Sequence, residues 1–268
     1  MRSFFPPPLR YRHASMVRLI ASLQMAWHVF FMAFGVNLAR ELYRRFRRPV
    51  YEFFGSDRHS HLALNDLDHK LKKYLDFSGG FFIEAGGNDG LSQSNSYWFE
   101  NFRGWRGILV EAVPDQARLC RRNRPKARVI NAALVADENT KSVRIKAARL
   151  MAFIPGTRTQ AEEDAHFKAA IQAQNLQQVP EIEVPAITLG SVLDGLGDQG
   201  VDFFSLDVEG YEVPVLQGMN VDKHRPGLIL VETKDIDAVL TALKGHYRAI
   251  DQLSHHDYLL RAQQIRGG

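Results

Sequence analysis

Five short runs, each apolar on both faces, recur along the chain: GFFIEAG (80–86), RGILVEA (106–112), ARVINAAL (127–134), VDFFSLDV (201–208) and GLILVET (227–233). A strand without a polar face belongs in the middle of a sheet covered by helices on both sides. Helix-forming stretches separate the runs: QSNSYWFENF follows the first, PDQARLCRRN the second and EVPVLQGM the fourth. Alternation of this kind predicts an α/β fold built on a doubly wound, mostly parallel sheet. HYRAIDQL and DYLLRAQQ, separated by SHH, predict an antiparallel pair closing one edge. Ahead of the first strand, LALNDLDHKLKKYLD (62–76) places Leu67, Leu71, Tyr74 and Leu75 on one helical face.

Between about 135 and 200 the alternation stalls. KSVRIKAA (141–148) and IEVPAITL (182–189) read as short strands, with a polar, mostly helical or irregular stretch between them. An insertion on the ligand side of a sheet is where a substrate cover is expected. The expected division is therefore an N-terminal segment, 1–50, and one main domain, 51–268, carrying this insertion.

The N-terminal segment holds the basicity of the chain. Residues 1–48 contain nine arginines and one acid, Glu41, whereas the whole chain has a net charge of only +4. The main domain is therefore net acidic, which argues against nucleic-acid binding. From Leu19 to Val36 the only polar side chains are Ser22, Gln24 and His28, and arginines flank both ends. That length sits at the short limit for a membrane span, and an interfacial helix fits equally well. Residues 16–48 are thus a candidate membrane-surface segment, with the main domain expected on the cytosolic side. A single cysteine, Cys120, excludes an internal disulfide framework and fits a cytoplasmic, reducing setting; it reads as packing.

In doubly wound sheets ligands bind at the C-terminal ends of the strands. After the first strand come Glu84, Gly86, Gly87, Asn88 and Gly90, in FFIEAGGNDGLSQSN. A dinucleotide fingerprint needs glycines at the first, third and sixth places of the turn; counted from Gly86, those later places hold Asn88 and Leu91. Acid-x-Gly-x-Gly-x-Gly fits better, with Asn88 at the middle position, since Asn tolerates positive φ better than most residues. A carboxylate opening the pattern suits a ligand with a positive charge, such as an α-amino group. No Gly-Lys-Ser/Thr follows, so a nucleoside-triphosphate loop is excluded. The second strand ends at Glu111, placed to accept ribose hydroxyls, and the third offers Asn131 to an adenine edge. A glycine turn, an acid and an Asn at successive strand ends point to a bound adenosine. The competing reading of Glu111 is a helix cap.

FFIEAGGNDGLSQSN, GWRGILVEAVP, NAAL, VPAITL and FSLDVEGYEVPVLQG occur in an order that resembles the FkbM family of S-adenosylmethionine-dependent methyltransferases, over roughly residues 62–233. The resemblance implies a class I, Rossmann-like methyltransferase fold: a mostly parallel seven-stranded sheet with an antiparallel C-terminal edge. It implies cofactor contacts from Glu84, Gly86, Gly87, Asn88, Gly90, Glu111 and Asn131. It also implies methyl transfer to a hydroxyl of a sugar, glycan or related natural product. At the fourth strand end, Asp207 is the candidate base, with Glu209 beside it, and Glu212 reads as a helix N-terminal acid. Some O-methyltransferases of this fold hold a divalent ion between acids at two strand ends; here these are Asp207 and Glu232, whose oxygens suit Mg²⁺. His166 reads as a surface residue, and His255 and His256 receive no role. Two rival readings are an NAD(P)-dependent oxidoreductase and a membrane-tethered adaptor that keeps the fold without the chemistry.

Overall fold

The computed structural model describes residues 47–148, 151–156, 159–174 and 179–263. The chain divides into two compact units, residues 1–61 and 62–268. In the described part of the first unit, residues 47–53 are helical, and Ser60 Oγ donates to Glu52 Oε1 at 2.7 Å. Among the described residues no helix is long and apolar enough to cross a membrane. The apolar segment 19–36, expected to be helical, lies outside them.

The second unit carries the sheet. Its strands are β1 (Phe81–Ala85), β2 (Arg106–Val110), β3 (Arg128–Ile130), β7 (Phe203–Leu206), β8 (Leu228–Glu232), β9 (Tyr247–Gln252) and β10 (Asp257–Ala262). They lie in the order β3-β2-β1-β7-β8-β10-β9. The first five run parallel, and β10 is antiparallel to both β8 and β9. This is the expected seven-stranded sheet with its antiparallel edge, and the order reverses beside β1, where ligands of such sheets bind.

Period-two alternation assigns every central side chain to one of two cores. Ile83, Ile108, Val110, Phe204, Leu206, Ile229 and Val231 join Leu189, Val192, Val215 and Val239 of the helices α5 (Leu189–Asp194), α6 (Glu212–Gln217) and α7 (Ile236–Ala242). On the opposite face, Phe82, Leu109, Phe203 and Leu230 pack with Leu67, Leu71, Trp98, Phe99, Trp105 and Cys120. The helices there are α1 (Leu67–Leu71), α2 (Tyr97–Arg103) and α3 (Pro114–Asn123).

Two expectations need correction. The helix over 62–76 is only α1, preceded by a 3-10 turn at Leu64–Asp66; Asn65 and Asp66 take φ of +54° and +55°, which no α-helix accommodates. The third strand is two. After β3 the chain breaks at Asn131, whose Nδ2 donates to the carbonyls of Glu111 and Ala112 at 2.8 and 3.0 Å. β4 (Ala133–Val135) then leaves the main sheet and pairs in parallel with β6 (Glu181–Thr188), which pairs antiparallel with β5 (Ser142–Lys146). This three-stranded sheet and α4 (Gln160–Gln174) form the insertion.

Trp105 anchors the face opposite α5–α7. It is 1% exposed, packs against Phe77 and Phe99, and donates Nε1–H to the Phe77 carbonyl at 3.1 Å. Trp105→Ala is expected to destabilise the fold by about 3–5 kcal/mol, the usual range for emptying a large aromatic site; urea unfolding followed by circular dichroism measures it.

Candidate active site

The sheet register sets the site. One residue beyond the paired Val110, Ala85, Leu206 and Val231 stand Glu111, Gly86 and Asp207, with Glu232 closing β8. Asp257 faces Glu232 across the β8–β10 pair. Glu111, Gly86, Asp207, Glu232 and Asp257 thus form one row across five neighbouring strands. By alternation the side chains of Glu111, Asp207, Glu232 and Asp257 fall on the Trp105 face of the sheet, at the carboxyl ends.

Gly86 opens the middle of that row. Its φ is +84°, and a Cβ built there would lie 1.9 Å from the Asp207 carbonyl oxygen. No side chain fits between β1 and β7 at this level. Beside this gap a cleft encloses about 900 Å³ of free space, counting its open mouth. Six of the residues expected to form the site line it: Glu84, Gly86, Asn88, Glu111, Asp207 and Glu209. The insertion supplies another wall through Ile145, Ala152, Phe153 and Ile154.

The other expected residues stand behind this lining. Gly87 packs on Leu109, 3.1 Å from a notional Cβ. Gly90, with φ of +81°, lies against Arg124 and Cys120 of the α3 end, where a Cβ would meet them at 2.7 and 3.0 Å. Asn131 gives its amide to the Glu111–Ala112 backbone, while Ala132 and Ala133 line the cleft. Glu232 lines a smaller adjoining cavity together with Asp207 and Asp257.

Glu84 is 4% exposed and organises the loop that follows. Its carboxylate accepts from Ser94 Oγ at 2.9 Å, from Asn95 N at 2.9 Å and from Ser96 Oγ. Beneath it lies Arg124, fully buried. The guanidinium donates to Glu100 at 2.9 Å, to Ser94 and Ser96 Oγ at 3.0 and 2.9 Å, and to the Gly90 carbonyl at 3.1 Å. Arg124 escapes a reading of the sequence because RRNR looks like a solvated basic run; its only signal is the apolar spacing of the helix before it.

Glu111 is 6% exposed and accepts from Asn88 N and Val113 N, both at 2.7 Å. Burial pushes its carboxyl up to about 7, against the restraint of those backbone N–H groups. Asn88, at φ of +44°, is 7% exposed, and its Oδ1 is a buried acceptor without a hydrogen-bond partner among the described residues. Asn95 Oδ1 is another. A nucleoside has hydroxyls and an amino group to donate to such acceptors, so the lining fits S-adenosylmethionine.

At the far end, burial first and then Glu232, Glu209, Glu212 and Asp257 hold the Asp207 carboxyl well above the usual carboxylate range. Glu232 is also raised, chiefly by burial. Glu212 folds back as expected of a structural acid, accepting from Gly210 N at 2.8 Å and Val208 N at 3.3 Å. That cap fixes the turn in which Glu209 takes φ of +56°. His166, read as a surface residue, is only 10% exposed at its side chain and lies 3.7 Å from Glu209 Oε2. His256 stands 3.5 Å from Glu232 Oε1, where no role was foreseen. Cys120 is buried and pushed up to about 12 by that burial, so it is an inert packing group.

The strand order, the glycine cleft and the acids at the strand ends define a class I methyltransferase. Residues 84–260, more than half of the chain, match the family model described as the methyltransferase FkbM domain. The chain belongs to the FkbM family of S-adenosylmethionine-dependent methyltransferases. Among solved structures it is similar to an FkbM methyltransferase from Methylobacillus flagellatus KT at 14% identity and a TM-score of 0.45, covering 93% of this chain and 60% of that one. It therefore spans about 60% of that protein's length. A TehB-like methyltransferase from Corynebacterium glutamicum is 12% identical with a TM-score of 0.36, covering 84% and 97% of the two chains. An O-methyltransferase from Bacillus cereus in complex with SAH is 11% identical with a TM-score of 0.35, covering 97% and 93%. No curated protein matches the chain.

Two outcomes test this geometry. Gly86→Ala forces a Cβ into the Asp207 carbonyl at a positive φ; it is expected to lower stability by about 1–3 kcal/mol and to abolish S-adenosylhomocysteine binding in calorimetry. Glu111 supplies a pH signature. Its carboxyl lies near 7 in the folded chain against 4.5 for a free one, so the folded state favours the proton. The resulting stability is fully present below 4.5 and is lost as pH rises through 7, roughly 3 kcal/mol at most. Affinity for S-adenosylhomocysteine is expected to rise over the same window, as the carboxylate expected to accept the ribose hydroxyls forms. Glu111→Gln is expected to flatten both profiles, read by thermal melts and calorimetry between pH 5 and 8.5.

Proposed function

We propose that the chain is an O-methyltransferase acting on a hydroxyl of a sugar, in a glycan, a glycolipid or a related natural product. The observation carrying this reading is the position of Asp207. Asp207 stands next to Gly86 in the row and lines both the main cleft and the smaller cavity next to it. A group shared by two adjoining cavities can serve a donor in one and an acceptor in the other.

When bound, S-adenosylmethionine supplies an electrophilic methyl group. Glu111 would accept its ribose hydroxyls, Asn88 Oδ1 would accept a further donor, and Glu84 Oε1, which takes one backbone N–H, keeps a lone pair for the α-amino group. Phe153 and Ile154, across the cleft from the sheet, would exclude water. The acceptor hydroxyl would approach at Asp207, which in its ionised form takes the proton as the new C–O bond forms. The raised position of the Asp207 carboxyl makes it a stronger base than an ordinary carboxylate once ionised.

The basic, apolar segment 16–48 supports a place at the cytosolic face of a membrane, near lipid-linked glycans. Transfer of labelled methyl from S-adenosylmethionine into glycan and lipid extracts tests the acceptor class; label found only in protein or nucleic acid would overturn it. Asp207→Asn is expected to cut the transfer rate by about 10²–10⁴ while leaving S-adenosylhomocysteine affinity within a few-fold. A variant that retained full turnover would remove Asp207 from the chemistry.

A further inference from the structure

The acidic end of the strand row continues past Asp207 into a group that methyl transfer alone does not use. Glu232 and Asp257 are direct partners across the antiparallel β8–β10 pair, so their side chains leave the same face. His256 precedes Asp257, and its carbonyl accepts from Thr233 N at 2.8 Å, which pins the hairpin end beside β8. One donor atom from each of Glu232, His256 and Asp257 falls within 4.8 Å of the others.

The separations are informative. His256 Nε2 lies 3.5 Å from Glu232 Oε1 and 3.8 Å from Asp257 Oδ2. Both are too long for hydrogen bonds. Two ligands each held about 2.0–2.2 Å from one ion stand roughly 3–3.5 Å apart, close to the spacing found. Charge points the same way. Asp257 is 5% exposed, yet among the described residues the ion pairs of Glu232 and Asp257 are made with His256 alone. Ser254 Oγ donates to Asp257 Oδ2, but among the described residues no lysine or arginine forms an ion pair with this group or with Asp207, and a partly buried carboxylate cluster calls for a counter-ion. Asn95, whose Oδ1 is a buried acceptor without a hydrogen-bond partner among the described residues, lines this small cavity as well as the main cleft.

We propose that Glu232, His256 and Asp257 bind a divalent cation at the border of the small cavity. An imidazole with two carboxylates selects Mn²⁺, Fe²⁺ or Zn²⁺ over Mg²⁺, which prefers an all-oxygen shell. The expected magnesium site between Asp207 and Glu232 is thereby moved one strand outward and changed in donor type. Insofar as the cation serves the acceptor, the proposal rests on the methyl-transfer reading, because the site borders Asp207. Binding itself does not depend on that reading.

The test uses the full chain, stripped with chelator, and Mn²⁺ alone as the probe. Loss of the free Mn²⁺ signal in electron paramagnetic resonance should report one saturable site per chain, and Zn²⁺ should displace it. His256→Ala and Asp257→Asn should each weaken Mn²⁺ at least tenfold; His256 is 24% exposed at its side chain, so its removal should spare the fold. Absence of saturable Mn²⁺ or Zn²⁺ binding overturns the proposal, as does undiminished binding in both variants. S-adenosylhomocysteine binding, measured separately on the metal-free chain, should persist in both variants. Its failure in the unaltered chain would count against the methyltransferase reading and leave the cation result standing.

Discussion

The approach of β7 to β1 at Gly86 is the constraint on which the site depends. Parallel strands sit at a fixed spacing, and side chains at adjacent register positions normally fill the space above them. Here the Asp207 carbonyl occupies the place where a Cβ would stand. The middle of the row is therefore open, and the flanking positions can point carboxylates toward a common cleft. A larger residue at position 86 would push the strands apart, and Glu111 and Asp207 would no longer line one cleft.

A buried positive charge supports that opening from below. Arg124 has no exposure, so its desolvation must be offset by partners around the whole guanidinium. Glu100, Ser94, Ser96 and the Gly90 carbonyl supply them, and Glu84 holds the same serines from the strand side. Removing any one member leaves another unsatisfied in a low-dielectric setting. The glycine loop and the serine loop are consequently fixed to a single point, and Asn88 keeps its backbone at positive φ beside the cleft. Pre-organisation of this kind keeps the donor from being reordered during the reaction.

What the sequence reveals follows from the range over which its physics acts. The central strands were legible because burial on both faces leaves no polar positions, and two-fold periodicity then places their side chains. That Glu84, Gly86, Asn88, Glu111 and Asp207 would share one cleft was legible because the clefts of a doubly wound sheet lie at its strand ends. The break at Asn131 was not, since it depends on carbonyls twenty and nineteen positions away. Arg124 and His256 were missed for the same reason: each looks like an ordinary surface residue until distant strands close around it. The asparagine expected to meet an adenine ties the chain to its neighbour strand, and the cleft wall there is alanine.

The uneven spread of charge along the strand row makes sense in terms of the reaction. At the Glu111 end a single carboxyl accepts from two backbone N–H groups, and burial still holds it up to about 7. At the other end Asp207, Glu232 and Asp257 crowd together, and among the described residues the ion pairs of Glu232 and Asp257 are made with His256 alone. Under the proposed reaction, the methyl group of the sulfonium would face the end of the row that holds Asp207. Burial first, and then this crowding, favours the protons on Asp207 and Glu232 when no cation is near. An arriving positive charge would release them and leave Asp207 ionised at the point of transfer.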